Sequence, residues 1–304
     1  MQAIFRLNER TLAQLVRWGI AVLHDTIVPE ELVWPTDSEW TELKTKYHSR
    51  IHTEFSDVVA ILDGTTVHVS TPKDPTESKS HYMYKKRHAI NFQVICDLGG
   101  RIVFLSKHAK GAHDQRDFNN SGIRERFVGK PYGLMADAIY TFNRKNDIRG
   151  LIKGYAPLKK SKNQPLTILQ KAFNVRLRIS RALVENVNGR LKSWRVLGNK
   201  CLCYNTTDHA RFDIDEVARV VCALTNILIR DSPLRQADWD VRHGWDQWRS
   251  RWTAKHANTR PEDVATINGL DTYSWARYHE EVKYLPSLLA SDRSVNIEHE
   301  AQLA

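Results

Sequence analysis

Three acids stand where their neighbours make a charge costly or conspicuous. Asp63 ends the apolar run Val58-Val59-Ala60-Ile61-Leu62 and precedes Gly64. Asp137 lies between Leu134-Met135-Ala136 and Ala138-Ile139-Tyr140, and Glu185 is a lone acid in a cationic helical pattern. A charge amid apolar residues is expensive unless a metal or an ion-pair partner compensates it. Carboxylates supply hard oxygen donors of the kind Mg²⁺ and Mn²⁺ prefer, with coordination sites left for phosphate and water. Two such ions, about 3.5–4 Å apart, activate a nucleophile and stabilise the leaving oxygen of a phosphodiester. Each acid also has an ordinary reading. Asp63-Gly64 is a hairpin-turn dipeptide, and Glu185 has Arg181 and Asn188 within one helical turn as partners.

The elements that must position these acids follow from periodicity. Val58–Leu62 with the alternating Val67 and Val69 reads as strand. Ala89–Cys96 and Arg101–Leu105 read as two antiparallel strands around the turn Asp97-Leu98-Gly99-Gly100. Asp114 is a candidate N-cap for a helix reaching Phe127; Gly133–Ala136 is a short strand stopping at Asp137, and Leu151-Ile152 starts another. A long helix is expected from Pro165 to about Leu197, with Phe173, Leu177, Val184, Val187, Leu191 and Trp194 on one stripe. Arg178, Arg181, Glu185, Asn188 and Lys192 align on a neighbouring face. Ile214–Arg230 is a further apolar helix. Before the strands, Asn8 caps a helix whose buried face runs through Leu12, Leu15, Val16, Ile20 and Leu23 and ends before Pro29. Trp34-Pro35 to His52 reads as a linker or short helix. The order predicts an α/β layered fold, a mixed central sheet with flanking helices, in which the three acids sit at element ends or on a helix flank. Three parts result: 1–53, a helical segment and linker; 54–230, the α/β core; and 231–304, a Trp-rich, weakly helical extension.

The 304 residues carry 45 Lys and Arg against 35 Asp and Glu, a net charge of +10 that favours a polyanionic partner. Residues 144–200 hold 15 of those cations against only Asp147 and Glu185, so the excess is concentrated where a phosphate backbone would be met. The alternative is a solvated helix face. Four cysteines are too few for a disulfide framework, and Cys201-Leu202-Cys203 lacks zinc-knuckle spacing. The longest apolar stretch, Val220–Ile229, is interrupted by Thr225-Asn226, so no membrane span is expected.

Four blocks carry a resemblance. Tyr84-Lys85-Lys86-Arg87-His88-Ala89-Ile90-Asn91-Phe92-Gln93-Val94-Ile95-Cys96-Asp97 resembles the second-strand region of Harbinger-type (PIF/Harbinger) DDE transposases. Gly111-Ala112-His113-Asp114-Gln115-Arg116 is similar to the element after that family's third strand. Ala136-Asp137-Ala138-Ile139-Tyr140 and Arg181-Ala182-Leu183-Val184-Glu185-Asn186-Val187-Asn188-Gly189-Arg190-Leu191-Lys192 resemble its second and third catalytic blocks. One departure is Ile139, where the family commonly has glycine. The resemblance implies a ribonuclease H-like core, with Asp63, Asp137 and Glu185 as catalytic and metal-binding residues for two Mg²⁺ or Mn²⁺ ions, and hydrolysis of DNA phosphodiesters followed by strand transfer. Arg178, Arg181 and Lys192, with Lys159, Lys160 and Lys162, are then expected on DNA phosphates. His113 and Asp114, side by side near a strand end, are the competing candidates for a metal role; the favoured expectation, since magnesium prefers oxygen donors, is Asp114 as a helix cap and His113 orienting a loop beside the site.

The rival reading is a domesticated or decayed relative that binds DNA or a partner protein without cutting; a structural RNA-binding protein ranks lower, since no aromatic or Gly-rich recognition motif is present. The resemblance also implies a Myb-like DNA-binding partner from the same element, and nuclear localisation for a eukaryotic member or cytoplasmic otherwise.

Overall fold

The computed structural model describes residues 8–82, 88–111, 113–142, 151–160, 165–198, 213–235 and 240–255. Lys162, the Tyr84–Arg87 part of the first block, Ala112, Cys201, Cys203 and Trp239 lie outside the described residues.

The chain runs α1 (Glu9–Glu31), α2 (Asp37–Lys46), β1 (Val58–His68), α3 (Pro75–His81), β2 (Ala89–Asp97), β3 (Ile102–Leu105), β4 (Ala109–Lys110), α4 (Asp114–Asn120), β5 (Gly133–Met135), β6 (Gly154–Tyr155), α5 (Ile168–Ser193), α6 (Arg195–Gly198), α7 (Ile214–Asp231) and α8 (Val241–Lys255). The described strands form one mixed sheet in the order β3-β2-β1-β5-β6, with β4 also on β2. β1, β2 and β3 are antiparallel neighbours, whereas β5 lies parallel to β1 and β6 parallel to β5. The β2–β3 turn forms as expected, with Asp97 Oδ1 accepting from the Gly99 and Arg101 amides at 2.7 and 2.9 Å and Gly100 at φ 92°. That φ is glycine territory.

Helices cover both faces of the sheet. On one, Ile61, Val67, Phe92 and Val94 pack against Phe173, Leu177, Val184 and Val187 of α5 and Val221 of α7. On the other, Val59, Leu62, Ile95 and Val103 meet Phe118 of α4, Phe127 and Trp40 of α2. All nine residues of β2 are buried, as a strand covered on both faces requires. α1 lies on α7 through Ile20, Ile27, Val28, Val220 and Ala223, while Trp245 of α8 packs on Ala172 of α5.

Four sequence expectations are corrected. Asp63-Gly64 is no turn and Asp63 ends no element: β1 continues to His68, with Asp63 opposite Val94 and Gly64 opposite Gln93. α1 does not stop before Pro29 but carries it in its last turn, where the missing amide costs a single hydrogen bond. α4 ends at Asn120, before Gly122 at φ 73°, and only a short 3₁₀ turn, Arg124–Arg126, follows. The strand expected at Leu151-Ile152 instead spans Gly154–Tyr155.

Candidate active site

α5 is set first by its own residues. Thr167 accepts from the Gln170 amide while the Gln170 side chain returns to the Thr167 amide, a reciprocal cap that satisfies otherwise orphaned donors. The buried stripe of Phe173, Leu177, Val184, Val187 and Leu191 then fixes the helix's rotation on the sheet, and that rotation turns Arg181 and Asn188 toward β1.

Period-two alternation in β1 puts Asp63 on the α5 face and Gly64 on the α4 face. Asn188 Nδ2 donates to Asp63 Oδ2 at 2.8 Å. The buried Arg181 guanidinium reaches both acids, with Nη2 4.0 Å from Asp63 Oδ1 and Nη1 3.6 Å from Asp137 Oδ1. Asp137 lies two residues past the end of β5, and its Oδ1 also accepts from the Ala138 amide at 2.7 Å. Parallel pairing of β5 with β1, Ile61 opposite Met135, is what brings the two acids to the same end of the sheet.

Burial pushes the Asp63 carboxyl up to about 6, even though Arg181 and the Gly64 amide pull it down; the Asp137 and Asp114 charges add to the rise. Asp137 departs from expectation. Its side chain is 52% exposed rather than enclosed by apolar neighbours, because the chain leaves the sheet there.

Behind Gly64 lies a polar network. Asn91 Nδ2 donates to Asp114 Oδ1 at 2.9 Å and to Asp117 Oδ2 at 3.0 Å, and Thr66 Oγ1 donates to Asn91 Oδ1 at 3.3 Å. The Tyr140 hydroxyl donates to Gln93 Oε1 at 2.7 Å, and burial, with Asp114 and Asp63 nearby, drives its phenol well above the usual range. A Cβ on Gly64 would collide with Asp114 Oδ1, so glycine is what admits Asp114 to the neighbourhood of Asp63. Asn91, Gln93 and Thr66 were missed as site residues, although two polar residues at alternate positions of an apolar strand are a readable sign of a buried network.

The expected roles of His113 and Asp114 are exchanged. His113 Nδ1 accepts from the Arg116 amide at 3.3 Å and caps α4, while Asp114 is the first helical residue and faces the site. Arg178, Lys192, Lys159 and Lys160 are exposed, as a phosphate-facing set requires. Arg181, placed in that set by helical alignment, is instead buried and turned to the acids.

Glu185 is exposed on the same face of α5, between Arg181 and Asn188, and both of those residues serve Asp63 rather than pairing with it. Among the described residues no three Asp, Glu, His or Cys side chains are gathered into a metal cage. The donor chemistry nonetheless fits a hard divalent cation. Asp63 and Asp137 already share one positive group, and Asn188, which donates to Asp63, keeps its Oδ1 buried with no hydrogen-bond donor. An unsatisfied acceptor oxygen on a residue that touches one of two neighbouring carboxylates is consistent with a cation there.

Comparison with known proteins adds three findings. The family described as DDE superfamily endonuclease matches residues 62–226. A probable transposase for insertion sequence element IS702, from Microchaete diplosiphon, is 28% identical over 149 residues, 47% of this chain and 49% of that protein. The likeness thus spans about half the length of that relative. No solved structure matches the chain.

Proposed function

Because the chain belongs to the DDE superfamily endonuclease family, we propose that it is the catalytic part of a metal-dependent, DNA-cleaving transposase in which Asp63, Asp137 and Glu185 hold two Mg²⁺ or Mn²⁺ ions. A ribonuclease H-like core is the corresponding fold reading, supported by an antiparallel β1-β2-β3 unit continued by the parallel β5 and β6. The Harbinger-type blocks and the likeness to an insertion-sequence transposase both support an element-encoded enzyme. Strand transfer, a Myb-like partner and nuclear localisation are further parts of the Harbinger-type proposal.

The observation that carries the reading is the meeting of Asp63 and Asp137, 74 positions apart in sequence, on one cation at one end of the sheet. Asp63, Asp137 and Glu185 would supply the ligand oxygens, and Asn188 orients Asp63 through its 2.8 Å hydrogen bond. Bound there, a divalent cation supplies Lewis-acid stabilisation of phosphoryl oxygens and a more acidic water. The half-exposed Asp137 leaves the site open to a backbone, and the exposed Arg178, Lys192, Lys159 and Lys160 neutralise phosphates without reading sequence.

A second reading, DNA binding without cleavage, is favoured by one feature: Arg181 stands between Asp63 and Asp137, and Glu185 is not drawn into a cage with them. A nicking assay on supercoiled DNA with Mg²⁺ or Mn²⁺ separates the two. The wild-type chain is expected to nick, and Asp137→Asn to lose at least about a thousandfold in rate while still binding DNA in metal-free buffer about as the wild type does there. Undiminished nicking by that variant defeats the assignment, and DNA binding with no nicking by the wild type supports the second reading.

A further inference from the structure

We propose that Arg181 is a resident counter-cation of the carboxylate cluster, which a divalent cation must displace and which a DNA phosphate then receives, so that metal loading and DNA binding are coupled. The inference rests on the metal-dependent reading above and adds an order of events to it.

Two acids share this one guanidinium. Asp63 and Asp137 lie 4.0 and 3.6 Å from its nitrogens, and the charge of Asp114, on the α4 face beside Gly64, adds to theirs. Neither acid is held in a close two-point grip, and Arg181 Nε is buried without a hydrogen-bond partner. A guanidinium in its best carboxylate geometry makes two parallel short bonds; this one bridges two acids loosely. It therefore neutralises the cluster without locking it.

Arginine does not lose its proton in proteins, so its charge can leave the cluster only by moving. A divalent cation held by Asp63 and Asp137 would share their oxygens with the guanidinium if Arg181 stayed, and like charges that close repel strongly even when partly screened. Without an outside anion, displacement leaves Arg181 unpaired at the rim of a buried site. DNA supplies that anion. A phosphate arriving beside the exposed Arg178 and Lys192 on the same helix offers the planar, two-oxygen partner that a guanidinium matches best.

Calorimetric titration of the full chain with Mn²⁺, with and without a short random-sequence duplex, tests the coupling. Wild-type affinity is expected to rise by about tenfold or more when the duplex is present. Arg181→Gln should bind Mn²⁺ about tenfold more tightly than wild type in the absence of DNA, and the duplex should then add little; Arg181→Lys, which keeps the charge but cannot span both acids, should fall between. Melting followed by circular dichroism reports whether each variant folds, and should Arg181→Gln fail to fold, the wild-type comparison decides alone. Equal wild-type affinities with and without the duplex overturn the inference, as does a folded Arg181→Gln with unchanged affinity. If the wild type nicks DNA yet shows no such coupling, only this inference falls. If it neither binds Mn²⁺ nor nicks, the metal-dependent reading falls with it.

Discussion

Arg176 and Arg181 lie on the same helix, both buried, and they face opposite kinds of demand. Arg176 Nε meets Glu54 Oε2 at 2.7 Å, with side chains only 1% and 3% exposed, and its guanidinium sits 5.0 Å from the Trp245 ring centroid. That is one cation closed on one acid and roofed by an aromatic face. Arg181 is shared between Asp63 and Asp137 at longer range, with Asp137 half exposed. Burial of an arginine therefore says little by itself. The ratio of acids to cations, and whether the acids see solvent, separates a pair that holds the fold from a cluster with anionic charge to spare.

Breaking the closed pair should have the largest effect on stability. Removing one partner of a buried ion pair typically costs about 3–5 kcal/mol because the other charge stays behind. Glu54→Ala is expected to lose that much in urea unfolding, with the nicking rate per folded molecule nearly unchanged. A loss below about 1 kcal/mol would place Arg176 and Arg181 in the same class and remove the contrast.

The open cluster should declare itself through pH. Asp63 titrates at about 6 in the folded chain, pushed up by burial, against 3.8 ordinarily. Between those values the folded state holds a proton that the unfolded state has lost, so the Asp63 contribution to stability in a chelating buffer should be highest below about pH 4. That contribution alone should fall by on the order of 2–3 kcal/mol as pH rises through 6, while carboxylates held below their ordinary values, such as Asp215 and Asp240, work in the opposite direction at low pH. Asp97, also raised to about 6 by burial, contributes in the same direction, so the useful quantity is the difference between wild type and Asp63→Asn. The variant should lose the Asp63 share of the slope; identical slopes would show that Asp63 is not under the strain assigned to it.

How much of this was legible in the chain depended on whether a decision was local. The β2–β3 hairpin was readable because Gly99-Gly100 and the flanking apolar runs decide it within a few residues, and α5 and α7 because their stripes repeat over several turns. Asn8 as a cap was readable for the same reason, its Oδ1 accepting from the Thr11 amide at 2.8 Å. Asp63-Gly64 was not. The dipeptide serves a turn or a tight strand equally well, and what selects the strand is pairing with β2 and the approach of Asp114 from α4, about fifty positions downstream. Arg181 was misdirected for a related reason. Helical alignment places it with Arg178 and Lys192, but which of these cations turns inward depends on where β5 ends and Asp137 begins. Periodicity gives the face of a helix, and only the neighbouring strand gives its depth.

The smallest expected effect sharpens the comparison by leaving both arginines alone. Thr167 and Gln170 cap the start of α5 reciprocally, and Thr167→Ala should remove about 1 kcal/mol of stability, the usual value of such a cap. The cap is local to the first turn, whereas Arg176 and Arg181 are held by Glu54 on one flank and by the acids on the other. Nicking rate and Mn²⁺ affinity should thus stay within twofold of wild type while the urea midpoint falls. Were the cap variant to change metal affinity as Arg181→Gln is expected to, the site would be responding to the stability of the whole helix, and the distinction between its two arginines would reduce to how firmly α5 is wound.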